Sequence, residues 1–247
     1  MKIESSVAFV TGATGGIGSA FVDELLRRGA AKVYVGGRDE GALSILSKRA
    51  PDRVVPVVLD VTSDALISAA ARQASDVNLL VNNAGFCGVK GALSNDAFAV
   101  AKQEMDVNYF GTLRMAQAFA PALAAAGGGA IVNVVSFLAL ATLPLMGTYS
   151  ASKAAELALN HSLRAELAAQ KTSVLASLPV QVDTAMGAWT DQPKVAPGDD
   201  AADTLAALEA GEAEVFPGKL SRDAAQSFAA DPKAVAAFLA SILPSAA

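Results

Sequence analysis

The sequence predicts a single α/β domain, a doubly wound parallel sheet of about seven strands with helices on both faces. Three observations predict it. Short apolar runs of strand length alternate with segments whose apolar residues recur at helical spacing, an order that builds a parallel sheet with right-handed crossovers. The first run passes through a glycine-rich turn straight into a helix. Finally, the 247 residues contain no linker, repeat or break in composition, so one domain covers residues 1–247.

Val7-Ala8-Phe9-Val10 is the first strand, and Thr11 to Gly18 form the glycine turn, after which Phe21, Leu25 and Leu26 keep helical spacing. Glycine leaves no Cβ between the backbone and an approaching pyrophosphate, and the helix N-terminus offers free N–H groups and the positive end of a dipole. Arg27 and Arg28, just before Gly29, are placed to cap the negative end of that helix. Lys32 to Gly36 is the second strand, ending in Gly37-Arg38-Asp39. A carboxylate about 20 residues past the loop would accept a ribose 2′-OH, whereas a cation would meet a 2′-phosphate. Counted from Gly18, that place falls on Gly37 with Arg38 next, which favours NADP(H); Asp39, one residue on, is the competing selector.

Val54 to Leu59 is the third strand and ends at Asp60-Val61, with Ser63 or Asp64 as cap of the helix that carries Leu66, Ile67 and Ala70. Val77 to Val81, the fourth strand, leads into Asn82-Asn83-Ala84-Gly85. Asp96 to Ala126 reads as mostly helical, and Asn108 within it is a poor interior helix residue that implies a polar purpose. The fifth strand, Ala130 to Val135, ends at Ser136, on the carboxyl edge where open α/β sheets bind ligands.

Phe137 to Leu145 is almost wholly apolar, and Pro144 and Gly147 mark it as a loop that lines a pocket. The next helix, reaching Gln170, carries Tyr149 and Lys153 four residues apart and hence on one face. A nearby ammonium stabilises a phenolate and lowers its pKa from ~10, which makes Tyr149 a candidate acid/base. Ser173 to Leu178 is the sixth strand, followed by Pro179-Val180-Gln181-Val182-Asp183-Thr184. Gly187 to Asp200 reads as a mobile loop over the site, Asp199 to Ala210 as a helix and Glu214 to Phe216 as an edge strand. Val235, Phe238, Leu239, Ile242 and Leu243 mark the apolar face of a last helix, expected to pack on the core or on another subunit.

Thr11-Gly12-x-x-x-Gly16-x-Gly18, the Asn82 to Gly85 motif, Asn108, Ser136 and Tyr149-x-x-x-Lys153 together resemble the classical short-chain dehydrogenase/reductase family. The resemblance implies a Rossmann-type fold and hydride transfer between NADP(H) and a carbonyl or alcohol. It implies a catalytic set of Asn108, Ser136, Tyr149 and Lys153: Tyr149 as acid/base, Ser136 on the substrate oxygen, Lys153 on the phenol and the ribose, Asn108 on a relay water. For the cofactor it implies Gly12, Thr14, Gly16, Ile17, Gly18, Arg38, Asn83, Ala84, Gly85, Tyr149 and Lys153, with Asp60 and Val61 at the adenine and Pro179, Val182 and Thr184 at the nicotinamide. Val180 stands where the family has glycine, which narrows that end. Residues up to about 135 would form the cofactor half and 136–247 the catalytic half, and helices around residues 108–126 and 149–170 would join subunits into a homodimer or homotetramer.

Composition trims the alternatives. A net charge of −5 without clustered Lys and Arg leaves no nucleic-acid partner. No uncharged apolar run reaches the ~18 residues of a membrane span, and residues 1–10 lack a signal-peptide pattern, so a cytoplasmic protein is expected. One cysteine, Cys87, and one histidine, His161, exclude an internal disulfide and Cys- or His-rich metal sites, so no metal is expected. The rival readings are a 3-oxoacyl-carrier reductase, for which no basic patch is visible, and a cofactor-binding regulatory protein, which would not need both Tyr149 and Lys153. Serine hydrolysis lacks a GxSxG elbow and a base for Ser136.

Overall fold

The computed structural model describes residues 1–243. Seven strands form one parallel sheet in the order β3-β2-β1-β4-β5-β6-β7: β1 Val7–Thr11, β2 Lys32–Gly37, β3 Val54–Val58, β4 Leu79–Asn82, β5 Ala130–Val134, β6 Ser173–Ser177 and β7 Glu214–Val215. Helices cover both faces, so strand residues are buried on either side and the strands read as unbroken apolar runs. In β1, Ala8 and Val10 face a core completed by Phe21, Val22 and Leu25 of α1 (Gly16–Arg27), Leu43 of α2 (Glu40–Ser47) and Leu205 and Leu208 of the helix after β6. Phe9 points the other way, onto Ile67 of α3 (Asp64–Gln73), Phe119 and Leu123. The alternation is the two-residue period of a strand.

The first strand order reversal lies between β1 and β4, and the loops after β1, β4, β5 and β6 open on the carboxyl edge beside it. A chain of asparagines behind that edge ties three elements together. Asn82 Nδ2 donates to Asn133 Oδ1 of the neighbouring strand at 2.9 Å, and Asn133 Nδ2 donates to Asn160 Oδ1 of α6 (Gly147–Glu166) at 2.9 Å. All three side chains are buried, where such bonds are strong and their loss costly.

Several sequence expectations change in detail. Arg28 is the C-cap residue of α1 and Arg27 lies in its last turn, but their side chains have further partners. Both pair with Glu24, and Arg28 also reaches Glu209 at 2.7 Å and the Ala202 carbonyl at 2.9 Å, clamping α1 to α7 (Pro197–Ala210). Ser63, not Asp64, caps α3 through its Oγ. The helix around Asn108 is broken into α4 (Ala97–Glu104), a π-helical turn Met105–Gly111 and α5 (Thr112–Ala125). The stretch after Gly187 is tethered: Val195 is buried, bridges Val182, and donates its N–H to the Gln181 carbonyl at 2.7 Å. Gly218–Ala230 forms a further helix, α8, absent from the sequence reading, and it leads into α9 (Pro232–Ala240).

Candidate active site

Thr11 closes β1 and organises the edge. Its Oγ1 accepts from the Asn83 and Ala84 N–H groups, each at 2.9 Å, and Asn83 Nδ2 donates to the Thr11 and Gly12 carbonyls at 2.9 and 3.1 Å. The loops after β1 and β4 therefore hold each other. Gly12 sits at φ +61°, and a Cβ there would lie 2.9 Å from Ala84 Cα, so two reasons require glycine. A Cβ on Gly16 would lie 2.6 Å from Thr184 Cγ2, which brings the loop after β6 onto the first turn of α1. No side chain caps that turn, so its N–H groups point free into the space above, as an anion site needs.

That space is one cavity of about 1190 Å³. Gly12, Thr14, Gly16, Ile17, Gly18, Arg38, Asp60, Val61, Asn83, Ala84, Gly85, Ser136, Tyr149, Lys153, Pro179, Val182 and Thr184 all line it, so of the predicted site residues only Asn108 stands behind the wall. At one end lie Arg38 and Asp60. Asp60 Oδ1 accepts from Thr62 N–H and Oγ, at 2.9 and 2.7 Å, and these bonds, with the Arg38 charge, hold its carboxyl below the usual range. Asp39 Oδ1 accepts from Ala42 N–H at 3.0 Å as the cap of α2. At the other end the wall is Leu138, Leu143, Met146, Val180, Met186 and Trp189, closed by Val235, Phe238, Leu239 and Ile242 around α9. The last helix thus borders the cavity, and Leu239 and Ile242 pack on the small buried cluster of Leu143, Met146 and Tyr149, although no residue of α9 is itself buried. Among the described residues, Arg38, Asp60 and Lys153 are the only charged ones in the lining, so the side chains described at the α9 end are uncharged.

Ser136, Tyr149 and Lys153 meet between the two ends. Ser136 Oγ accepts from Leu138 N–H at 3.1 Å. Lys153 is buried; its Nζ donates to the Val134 carbonyl at 2.9 Å and to Glu156 Oε2 at 2.7 Å, and lies 5.9 Å from the centre of the Tyr149 ring. Asn108 Oδ1 accepts from Phe86 N–H at 2.8 Å, its Nδ2 donates to the Phe86 carbonyl and to Ser152 Oγ at 2.9 Å each, and its own carbonyl accepts from Thr112 Oγ1 at 2.8 Å. Asn108 thereby fixes the loop after β4 against α6.

The Tyr149 phenol departs from the sequence expectation: its pKa is raised, not lowered. Burial is the main cause, the negative potentials of Cys87, Glu156 and Glu104 add to it, and only Ser136 opposes the rise. Lys153, whose charge Glu156 meets, does not lower it. Burial likewise lifts the Cys87 thiol to about 11. Two of the buried carboxylates, Glu104 and Glu156, act on Tyr149 and went unnoticed in the sequence. Glu104 accepts from Gly88 N–H at 3.0 Å and Glu156 from Lys153 and Thr112. The spacing Lys153 to Glu156, one turn apart on the face of Tyr149, was a legible signal for the second.

A family model described as short chain dehydrogenase matches residues 6–194. The chain belongs to the short-chain dehydrogenase family. It is an oxidoreductase, and a short-chain dehydrogenase from Burkholderia cenocepacia J2315, solved in complex with NADP, superposes with a TM-score of 0.90 at 45% identity over 97% of this chain and 99% of that one. Another member, from Burkholderia phymatum in complex with NAD, gives a TM-score of 0.78 at 26% identity over 87% and 89% of the two chains. The 1-deoxy-11-beta-hydroxypentalenate dehydrogenase of Streptomyces avermitilis is 34% identical over 225 residues, 86% of this chain and 81% of that one. Solved members of the family thus bind NADP or NAD, and in this member no described helix is long and apolar enough to cross a membrane.

Proposed function

We propose that this short-chain dehydrogenase interconverts an apolar, uncharged ketone or aldehyde and its alcohol with NADP(H), using Tyr149 as acid/base. One observation carries the reading: Ser136, Tyr149 and Lys153 line the same cavity as the glycine loop and the apolar wall, with Lys153 Nζ 5.9 Å from the centre of the Tyr149 ring. Bound in the glycine-lined half, the nicotinamide supplies or accepts the hydride. Tyr149 Oη gives the substrate oxygen its proton in reduction and takes it back in oxidation, and the Ser136 hydroxyl donates to that oxygen where negative charge develops. Such acid/base help is worth ~10²–10⁴ in rate. The raised phenol pKa suits the acid role, since a protonated Tyr149 is the form that reduction needs.

Two facts support NADP(H) over NAD(H). Arg38 lines the far end of the cavity, and Asp39, the competing selector, is held by the cap of α2. The cradle fits the group: the uncapped first turn of α1 faces the pyrophosphate position, and Asp60 and Val61 border the adenine end. Residues to about 135 form the cofactor half and 136–247 the catalytic half of this reading, which further takes the enzyme as a cytoplasmic homodimer or homotetramer. An uncharged α9 end does not suit the acidic carrier of a 3-oxoacyl reductase.

Tyr149→Phe tests the assignment. It should bind NADPH as the parent does, by fluorescence titration, yet lose at least a hundredfold in carbonyl reduction followed by NADPH absorbance. Undiminished turnover would remove Tyr149 from its role.

A further inference from the structure

Lys153 and Glu156 lie three residues apart on α6, with side chains 4% and 2% exposed. Their contact at 2.7 Å is accompanied by a second anchor on each partner: Lys153 Nζ also donates to the Val134 carbonyl, and Glu156 Oε1 also accepts from Thr112 Oγ1 at 3.1 Å. Thr112 is in turn fixed on the Asn108 carbonyl. An ion pair this deep exists because neither charge has water to turn to, and removing one partner leaves the other charge uncompensated. Lys153 sits one helical turn and Glu156 about two turns from Tyr149 on the same face of α6, so any charge left uncompensated acts on the phenol.

We propose that Glu156 is a positioning residue for the reaction: its carboxylate holds the Lys153 ammonium and sets how much of that charge reaches Tyr149. The inference rests on Tyr149 as acid/base. With Glu156 ionised, the pair is neutral overall and Tyr149 stays a phenol, ready to protonate a carbonyl. Without the carboxylate, the ammonium acts on Tyr149 alone and favours the phenolate. The other groups that act on Tyr149 are Cys87 from the loop after β4 and Glu104 from α4, both of which disfavour the phenolate; Asp106 of the π turn is held outside by Arg114. Burial raises the Glu156 pKa, and Lys153 and Thr112 oppose the rise.

The test compares the parent, Glu156→Gln and Tyr149→Phe. Phenolate absorbance in the near ultraviolet is titrated with NADP⁺ bound, the Tyr149→Phe trace being subtracted to isolate Tyr149, and the pH profile of alcohol oxidation is measured alongside. In Glu156→Gln both the phenolate step and the rising limb of the profile should move to lower pH by about one unit, roughly tenfold in rate below the limb. A limb that superposes on the parent's, or moves up, overturns the proposal. Should Glu156→Gln not fold, Thr112→Val, which removes the bonds of the Thr112 hydroxyl to Glu156 Oε1 and to the Asn108 carbonyl, is expected to shift both readouts the same way by less, and no shift there overturns the proposal too. If Tyr149→Phe keeps the parent's rate, the acid/base reading fails by itself; if it is inactive while the Glu156→Gln limb stays put, only the role of Glu156 fails.

Discussion

Replacing Gly16 by alanine should damage the cradle in a way that a second change repairs. The added Cβ would stand 2.6 Å from Thr184 Cγ2 and 3.1 Å from Thr184 Cβ. Gly16 is not at positive φ, so the cost is contact alone. Thr184 cannot swing aside freely because its Oγ1 accepts from Gly187 N–H at 3.3 Å. Overpacking of this kind costs about 2 kcal/mol, which for a chain of this size lowers Tm by about 4–8 °C. NADPH binding should weaken about tenfold, since the same turn bears the free N–H groups. Thr184→Ser deletes the clashing methyl and keeps the hydroxyl, so the double variant should recover at least ~1 kcal/mol of the loss. Thermal unfolding by circular dichroism and NADPH fluorescence titration measure both quantities for all four proteins. A double variant that loses the sum of the two single losses would refute the claim that Gly16 is glycine because Thr184 lies on it.

Arg38→Ala should weaken NADPH binding about ten- to a hundredfold and leave NADH unchanged, because a charge-assisted bond to a 2′-phosphate is worth about 1.5–3 kcal/mol; equal losses for both cofactors would contradict the selector role. Asp200 gives a pH signature. Its carboxyl is buried in α7, neither oxygen has a partner among the described residues, and burial with the nearby Asp203 charge lifts its pKa to about 7 from 3.8. A raised carboxyl stabilises the fold fully below pH 3.8, where folded and unfolded chains are both protonated, and this contribution is lost as pH rises through about 7. Asp200→Asn should therefore gain Tm over the parent at pH ~8 and gain less or nothing at pH ~5, with an upper limit of roughly 4 kcal/mol. Parallel pH profiles of Tm for the two proteins would show that Asp200 is not the group responsible.

The strands and the cofactor edge were legible because both depend on short-range signals. Val7 to Val10 is apolar throughout because β1 is covered on both faces, and Gly12, Gly16 and Gly18 keep a spacing that only close backbone approach explains. The helix α6 was equally plain from the spacing of Tyr149 and Lys153. What escaped depends on partners distant in sequence. Arg28 meets Glu209, 181 residues away, and so clamps two helices besides ending one of them. The Tyr149 pKa is raised first by burial, which no local pattern reports, and then by Cys87, Glu156 and Glu104, two of them distant in sequence. The amphipathic face of α9 was visible, but an apolar stripe looks the same whether it meets a core or a cavity, and α8 has few large apolar residues with which to announce itself.

The π turn at Met105–Gly111 has a consequence for chain length. Each residue of a regular helix advances the side chains by about 100°, and a π turn absorbs one residue more than an α turn does. Here that surplus residue lets Glu104 reach Gly88 on one side of the turn while Met115 and Phe119 reach the sheet on the other. Excising any single residue between Met105 and Gly111 would straighten the rod and rotate one of its halves a quarter-turn out of register, pulling Asn108 off Phe86 and Ser152. The irregular coil is therefore a spacer whose length, more than its composition, keeps two helices aimed inward at once.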